Sequence, residues 1–207
     1  MADSGSGEGS HLPASLRPLM TLARVTLDTS ILVGPRSLEF AIAARLGYYR
    51  GHWSSWIVAE FSRVRTEMVL RRARRELGIT RENEEERTIQ EDLERRLLRS
   101  RSRVNAAIDD FSRVLASVNY QAAEGTDLAW LEDEDDHPIM QTAIAAGVPG
   151  VLVTDNTRDF PVGDVRNGIL IASGKVFLDY LYQTYPEAET VITRYAESRR
   201  QAMKQVR

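Results

Sequence analysis

The chain contains no cysteine among its 207 residues and only three histidines. The first absence excludes a disulfide framework, a thiolate metal centre and a cysteine nucleophile. The scarcity of histidine counts against sites that need several imidazole ligands, such as those of histidine–aspartate phosphohydrolases. A metal site in this chain would therefore rely mainly on oxygen ligands, and a reducing, cytoplasmic setting is the expected location.

Long apolar stretches are also missing from the sequence. No run approaches the roughly 20 residues needed to span a bilayer, and the N-terminus lacks a charged-then-apolar leader with a cleavage site. We therefore expect a soluble protein with no membrane contact. Residues 1–18 are rich in glycine, serine and proline and nearly devoid of large apolar residues, which predicts a flexible tail. Residues 19–207 are predicted to form a single domain.

Basic and acidic residues are concentrated in different regions of the chain. The net charge is −3, which by itself argues against a nucleic-acid-binding protein. However, 25 of the 27 basic residues are arginine, and 14 of these lie between Arg63 and Arg113. The segment from Glu124 to Asp136 instead holds seven acids and no base. This segregation matters more than the total charge for the choice of partner.

Apolar and amphipathic segments alternate along the chain, which predicts an α/β fold. Strands are predicted at residues 23–27, 118–120, 151–154 and 168–172. Helices are predicted at 37–47, from Ser54 or Ser55 to about 77, within a charged elaboration at about 71–116, at 138–147, and at 174–185 and 186–205. The strands are apolar on both faces, which is typical of a parallel sheet covered by helices.

Several acids lie where a site is expected. Asp28 and Asp155 each follow a predicted strand directly, and ligands in open parallel sheets bind just beyond the carboxyl ends of the strands. Asp136 precedes a predicted helix, where an aspartate is also an ordinary N-cap. Asp159 lies in a polar turn, where an aspartate is also an ordinary turn former.

Glu60 is placed differently, on the apolar face of its helix. It comes three residues after Ile57 and four before Val64, so its side chain projects with theirs. A carboxylate in that position is costly unless it binds a metal or is paired. A salt bridge to Arg63 or to another helix is the alternative to a metal role.

These acids suggest a chemistry when they are taken together. Four carboxylates that converge on one sheet edge repel each other unless a cation lies among them. Oxygen ligands without histidine or cysteine select Mg²⁺ or Mn²⁺ over zinc. Such a site polarises a phosphoryl oxygen and activates water, which suits in-line hydrolysis of a phosphodiester.

Five segments of the sequence resemble those of PIN-domain nucleases in order and spacing. They are VTLDTSIL (25–32), IVAEFSRV (57–64), DDHPIMQTA (135–143), LVTDNTRDF (152–160) and IASGKVFLDYL (171–181). The resemblance covers about residues 22–64 and 130–182. It implies a three-layer α/β/α fold with a mostly parallel sheet, cleavage of RNA with Mg²⁺ or Mn²⁺, and often a role as the toxin of a toxin–antitoxin pair, with an antitoxin protein as partner.

The same resemblance assigns roles to individual residues. It implies that Asp28, Glu60 and Asp136 are the catalytic acids of the metal site. Asp135 is an alternative to Asp136, because the acidic segment offers more carboxylates than one site requires. Asp136 is preferred because it lies eleven residues before Gly147, where the acid of this family usually falls.

The fourth acid of the family pattern stays open in this sequence. Asp159 is the expected catalytic residue, Asp155 is a further candidate metal ligand, and Asn156 occupies a position where some members carry the acid. Ser30 and Thr154 are expected to be hydroxyls that hold an acid or a water-bridged metal in place.

The charged helical stretch at about 71–113 is longer than in compact members of the family. It is expected to form a clamp over the active site, an RNA-binding arm or a homodimer interface. Its acid-free run of arginines is predicted to contact RNA phosphates: Arg95, Arg96, Arg99, Arg101 and Arg103. The alternative is a solvated helix face of paired Glu and Arg side chains. His52, Trp53 and Trp56 are expected to stack on a base or to pack in the core.

A different class of function also fits the sequence. A PIN-like protein that keeps its acids could act mainly as a binding or regulatory partner, with the long helices as its interface.

Overall fold

A computed structural model of the protein describes residues 24–79 and 87–205. The predicted tail at residues 1–18 lies outside the described residues. Within them the chain builds an α/β fold around a six-stranded sheet, which confirms the predicted fold class. The strands are β1 (Arg24–Leu27), β2 (Arg50–Ser54), β3 (Leu115–Val118), β4 (Gly150–Val153), β5 (Val165–Arg166) and β6 (Ile169–Ala172).

The order of the strands creates a crevice in the middle of the sheet. Across the sheet the order is β3-β2-β1-β4-β6-β5, and every pairing is parallel except that of β5 with β6. The chain moves outward from β1 to β3 and then returns to place β4 on the other side of β1. The strand order therefore reverses between β1 and β4, the point where open α/β sheets bind ligands.

Seven α-helices lie within the described residues, an arrangement compatible with three layers. They are α1 (Thr29–Val33), α2 (Ser37–Arg45), α3 (Ser55–Glu76), α4 (Arg87–Ser112), α5 (His137–Ala146), α6 (Gly174–Thr184) and α7 (Pro186–Gln205). The Ser54 hydroxyl accepts a hydrogen bond from the Ile57 amide and caps α3, as the sequence predicts. Gly147 ends α5. No helix in the described part of the chain is long and apolar enough to cross a membrane.

Three strands differ from the prediction. The two-residue strand β5 was not predicted. No strand was predicted at β2, because a segment containing Gly51 and His52 lacks the usual β-branched residues. A side chain at Gly51 would collide with Leu115, so glycine here lets the neighbouring strand fill the core. The strand predicted at 118–120 lies earlier, at β3, and a 3-10 helix (Tyr120–Ala123) follows it.

The burial of the central strands explains why they could be predicted from the sequence. All residues of β4 and β6 are buried, as expected for central parallel strands. Trp53 is only 3% exposed and packs against Phe111, which also meets Phe61 edge to face. Trp53 is therefore a core residue and is not available to stack on a base.

The predicted helical elaboration is an antiparallel pair formed by α3 and α4. The two helices pack mainly on each other, and α4 also contacts β3. Ala73 is the buried contact in the outer half of α3, and Ser100 and Val104 are buried on α4. The pair therefore extends the fold beyond the sheet.

Candidate metal centre

Asp28 lies at the carboxyl end of β1, beside the end of β4. It is almost fully buried, and its Oδ2 accepts hydrogen bonds from Ser30 Oγ at 2.6 Å and from Thr154 Oγ1 at 2.7 Å. Burial raises the pKa of Asp28, although hydrogen bonds from Ser30, Thr154 and the local backbone oppose this effect. Both hydroxyls therefore fix the carboxylate in one orientation at the crevice.

Glu60 reaches the same crevice from α3. Its Oε2 accepts a hydrogen bond from Thr29 Oγ1 at 2.7 Å, while its Oε1 lies 3.8 Å from Nη2 of Arg63. The pairing with Arg63 is loose and the Arg63 side chain is 63% exposed, so it contributes little. Burial is the main reason that the pKa of Glu60 is raised, and the charges of Asp28 and Asp135 add to it. Glu60 is therefore held mainly by a neutral hydroxyl.

Asp136 precedes α5 but does not act as its cap. Its carboxylate makes no capping hydrogen bond to the described backbone of that helix, so the N-cap alternative is not realised. Instead Oδ2 accepts a hydrogen bond from Asn156 Nδ2 at 3.2 Å, and the residue is only 8% exposed.

The acids around Asp136 perturb it strongly. Burial, followed by the charges of neighbouring acids, raises its pKa from 3.8 to about 7. In order of effect those neighbours are Asp28, Asp159, Asp133 and Glu60. Asp136 therefore lies among the other acids, whose negative charges oppose its ionisation.

Three carboxylates come close enough to share a cation. One oxygen from each of Asp133, Asp136 and Asp159 lies within 4.8 Å of the others. Like charges at such distances are unfavourable unless a cation lies between them. The donor atoms are all carboxylate oxygens, the ligands of hard cations. These residues therefore fit a metal ion, with Asp28 and Glu60 next to them.

Asp155, a predicted metal ligand, is used differently. Its Oδ1 accepts a hydrogen bond from the Gly174 amide at 2.9 Å, and its own amide donates to Ser30 Oγ at 2.9 Å. A Cβ at Gly174 would lie 3.2 Å from that carboxylate oxygen and 2.8 Å from Ile31 Cδ1, so glycine makes the approach possible. Asp155 joins the end of β4 to the start of α6 and is not among the clustered acids.

Asn156 links the acids instead. Its backbone amide donates a hydrogen bond to Thr154 Oγ1 at 2.9 Å, and its side-chain amide donates one to Asp136. Because Thr154 in turn donates to Asp28, one short hydrogen-bonded chain joins the carboxylates of Asp28 and Asp136. Asn156 therefore orients an acid without being one.

Asp133 was not predicted as a site residue from the sequence. It is the N-cap of the 3-10 helix Glu134–Asp136, and its Oδ1 accepts a hydrogen bond from the Asp135 amide at 3.0 Å. A 3-10 turn brings residues three apart to the same side, which places Asp133 beside Asp136. The signal was present as an i, i+3 pair of aspartates. Asp135, the sequence alternative to Asp136, is exposed and lies outside the cluster.

The predicted RNA-contacting arginines divide into two groups on α4. Arg95 and Arg96 pair with Asp92, and Arg96 also pairs with Glu76 of α3 at 2.7 Å. The other three are exposed and make no ion pair within the described residues: Arg99, Arg101 and Arg103. Only the second group has charges free for a ligand.

Of the remaining predicted residues, Trp56 is partly buried and packs against Tyr120. His52 lies in the middle of β2, and both of its ring nitrogens are buried.

Comparisons with protein families, with curated proteins and with solved structures found no match to this chain. The function of the site therefore has to be inferred from its geometry and charge.

Proposed function

We propose that this chain is a metal-dependent endoribonuclease with a PIN-like, three-layer α/β/α fold. One observation carries the proposal, the convergence of carboxylates at the crevice between β1 and β4. These are Asp28, Glu60, Asp133, Asp136 and Asp159. Two of these acids, Asp28 and Asp136, are buried, and the crowding of charge at the ligand-binding edge of a parallel sheet favours a functional site over a structural one, because ordinary folding gains nothing from their repulsion.

The proposed cation is Mg²⁺ or Mn²⁺, held by Asp133, Asp136 and Asp159. A divalent cation at this position supplies Lewis-acid polarisation of a phosphoryl oxygen. Asp28 adds fixed negative charge beside it and keeps its orientation through Ser30 and Thr154. Asp28 and the ligand Asp136 are therefore both held in place by hydrogen bonds before a cation binds, which limits the rearrangement that binding needs.

Hydrolysis also needs a group that accepts a proton from water. The water oxygen forms a bond to phosphorus, the bond from phosphorus to the leaving ribose oxygen breaks, and the proton finally passes to that oxygen. Glu60 is the member best suited to hold the proton, on Oε1, because its pKa is raised and Thr29 occupies its other oxygen. It is also outside the three-acid cluster.

The arginines of α4 support RNA as the substrate. Arg99, Arg101 and Arg103 are exposed, and arginine side chains bind phosphate oxygens without regard to sequence. A toxin role, in which an antitoxin protein controls the activity, belongs to the same proposal. The α3–α4 pair would then act as the RNA-binding arm, as a clamp over the site or as a homodimer interface.

The experiment incubates the full chain with structured and with unstructured RNA, in Mg²⁺, in Mn²⁺ and in EDTA. We expect cleavage with a divalent cation and none in EDTA. Asp136→Asn should lower the rate by about 100-fold or more, the range for a group that acts at the reacting atoms. Glu134→Gln is the matched control, since it removes one exposed negative charge from the same segment and should keep full activity. Cleavage that persists in EDTA or in Asp136→Asn would contradict the proposal.

A second candidate function is a binding or regulatory role without nuclease activity. It is favoured by apolar side chains that face solvent on the α3–α4 pair, where Leu98 is 65% and Met68 is 47% exposed. A protein partner or a second copy would cover them. Sedimentation of the full chain alongside Leu98→Asp tests this, because association that the substitution abolishes, together with inert RNA, would support the binding role.

A further inference from the structure

A cavity of about 500 Å³ opens at the end of the sheet opposite the acids. Its wall is formed by the turn between α2 and β2, the first residues of β2 and residues next to β3. Arg50 begins β2 and lies about 13 Å from Ser54 at the carboxyl end of that strand, at roughly 3.3 Å per residue, while His52 is the lining residue of β2 nearest that end. The cavity is therefore a separate place from the candidate metal centre.

Two arginines lie next to each other at this end. Arg50 lines the cavity, and Arg24 is its register partner on β1, so both side chains leave the same face of the sheet. Neither makes an ion pair within the described part of the chain. Like charges opposite each other on neighbouring strands are destabilising. The Arg24 side chain lies against Gly147 at the end of α5, where the helix dipole offsets part of its charge, whereas Arg50 is exposed.

His52 continues the same row of side chains and lines the cavity. Both of its ring nitrogens are buried and lack a hydrogen-bond partner within the described residues, and so does the buried hydroxyl of its register partner Thr26. Buried polar groups without partners are rare in native proteins. Burial and the charges of Arg24 and Arg50 lower the pKa of His52, which leaves a neutral ring with one donor and one acceptor.

The rest of the wall is apolar or aromatic. Tyr48 and Tyr49 contribute rings, and the Tyr49 hydroxyl already donates to the Phe40 carbonyl oxygen at 2.7 Å. Ala44, Val114 and Ala116 complete the wall with small apolar side chains. A volume of about 500 Å³ falls within the range of small-molecule sites.

We propose that this cavity binds a small organic anion, with its phosphate or carboxylate against Arg50 and its flat, apolar body along Tyr48. The planar guanidinium group matches both acidic groups through paired hydrogen bonds. An anion here would also offset the charges of Arg24 and Arg50, which make no ion pair within the described residues. This site is independent of the proposed nuclease activity.

The test uses the full chain in EDTA, so that no cation at the acidic site can hold an anion. Calorimetry measures binding of four probes: 5′-AMP, benzoate, inorganic phosphate and adenosine. We expect 5′-AMP or benzoate to bind, phosphate to compete weakly with it, and adenosine not to bind. A preference for 5′-AMP over benzoate would assign a phosphate ligand, and the reverse a carboxylate ligand.

Three variants locate the binding. Arg50→Gln should weaken it by about 10-fold or more, as expected for a lost charge-assisted pair. Arg45→Gln is the matched control, because it removes an exposed arginine from the nearby end of α2 and should leave affinity unchanged. Ala116→Leu narrows the cavity from an exposed position and should reduce affinity without unfolding the chain.

Three results would overturn the proposal. They are no binding of any anionic probe at millimolar concentration, equal affinity in Arg50→Gln and Arg45→Gln, or binding that Asp136→Asn abolishes while Arg50→Gln leaves it unchanged. Circular dichroism of each variant ensures that a loss of affinity is not a loss of fold.

Discussion

The two ends of the sheet carry opposite charge and treat it differently. At the carboxyl end, Asp28, Glu60 and Asp136 are buried or half-buried acids whose pKa values are raised. Arg24 and Arg50 lie at the amino end, and burial, followed by the charges of these two arginines, lowers the pKa of His52 in the middle of β2. The same physical cause, loss of solvent, acts in opposite directions because it always disfavours the charged form.

The ends also differ in how their polar groups are held. Thr29, Ser30 and Thr154 donate hydrogen bonds to the acids, which fixes the carboxylates before any ligand arrives. The polar atoms of His52 and Thr26 instead have no partner within the described residues. The acidic end is thus preorganised for a cation, whereas the basic end holds buried polar atoms that the fold leaves unsatisfied within the described residues.

The largest expected effect is a pH dependence of stability in EDTA, caused by Asp136. Its folded pKa of about 7 lies above the ordinary value of 3.8, so the folded state holds the proton more tightly. The contribution of Asp136 to the free energy of unfolding is therefore complete below pH 3.8 and is lost as the pH rises through about 7. At roughly 1.4 kcal/mol per pKa unit, the loss between these limits is a few kcal/mol.

Urea unfolding at several pH values measures this effect. Asp136→Asn should flatten the slope and stabilise the metal-free protein at pH above about 7. Glu134→Gln is the control and should keep the slope. An equal slope in Asp136→Asn and in the unmodified chain would show that the acids are not crowded as described.

A smaller effect is expected from the hydroxyls that orient Asp28. Thr154→Val keeps the shape of the side chain but removes a donor to Asp28 Oδ2 and the acceptor of the Asn156 amide. Because Asn156 in turn donates to the proposed ligand Asp136, affinity for Mn²⁺ should fall by about 10- to 100-fold, as for other groups that orient metal ligands. Thr157→Val, at an exposed position of the same turn, provides the comparison. Unchanged affinity in Thr154→Val would mean that Asp28 needs no fixed orientation.

The smallest expected effect is at the basic end. Because the folded pKa of His52 is lowered, the stability from its neutral form is present above its ordinary value of 6.5 and is lost as pH falls below it. His52→Gln should therefore make the chain less sensitive to acid, a trend opposite to that of Asp136. The measurement compares unfolding below pH 6.5 in Asp136→Asn and in the double variant Asp136→Asn/His52→Gln, so that the titration of Asp136 does not contribute. Equal sensitivity to acid in these two proteins would contradict the prediction.

Local patterns predicted the elements that bring most of the acids together. Asp28 could be placed because an apolar strand leads directly into it, and the helix after Asp136 could be placed because Pro138 and Gly147 mark its ends. Long-range packing decided the rest. The strand β2 exists because Gly51 makes room for Leu115, which is distant in sequence.

The choice among neighbouring acids was also beyond the sequence. Asp155 and Asp159 lie in one polar turn, and the Gly174 amide, nineteen residues after Asp155, determines that Asp155 turns to α6. Asp133 joins Asp136 because a 3-10 turn precedes α5, where an aspartate N-cap would otherwise be expected. Patterns of residue type identify an acidic segment, but only packing selects which carboxylates meet.

The most direct test of the central claim is the affinity of the full chain for Mn²⁺, measured by calorimetry at pH 8 without RNA. At this pH the acids should bind the ion. A second measurement nearer pH 7 should also show release of a proton from Asp136 on binding, since the pKa of Asp136 is about 7. Asp136→Asn should lower the affinity by about 10-fold or more, whereas Glu134→Gln should not change it. Equal affinity in Asp136→Asn and in the unmodified chain would contradict a metal centre at this edge of the sheet.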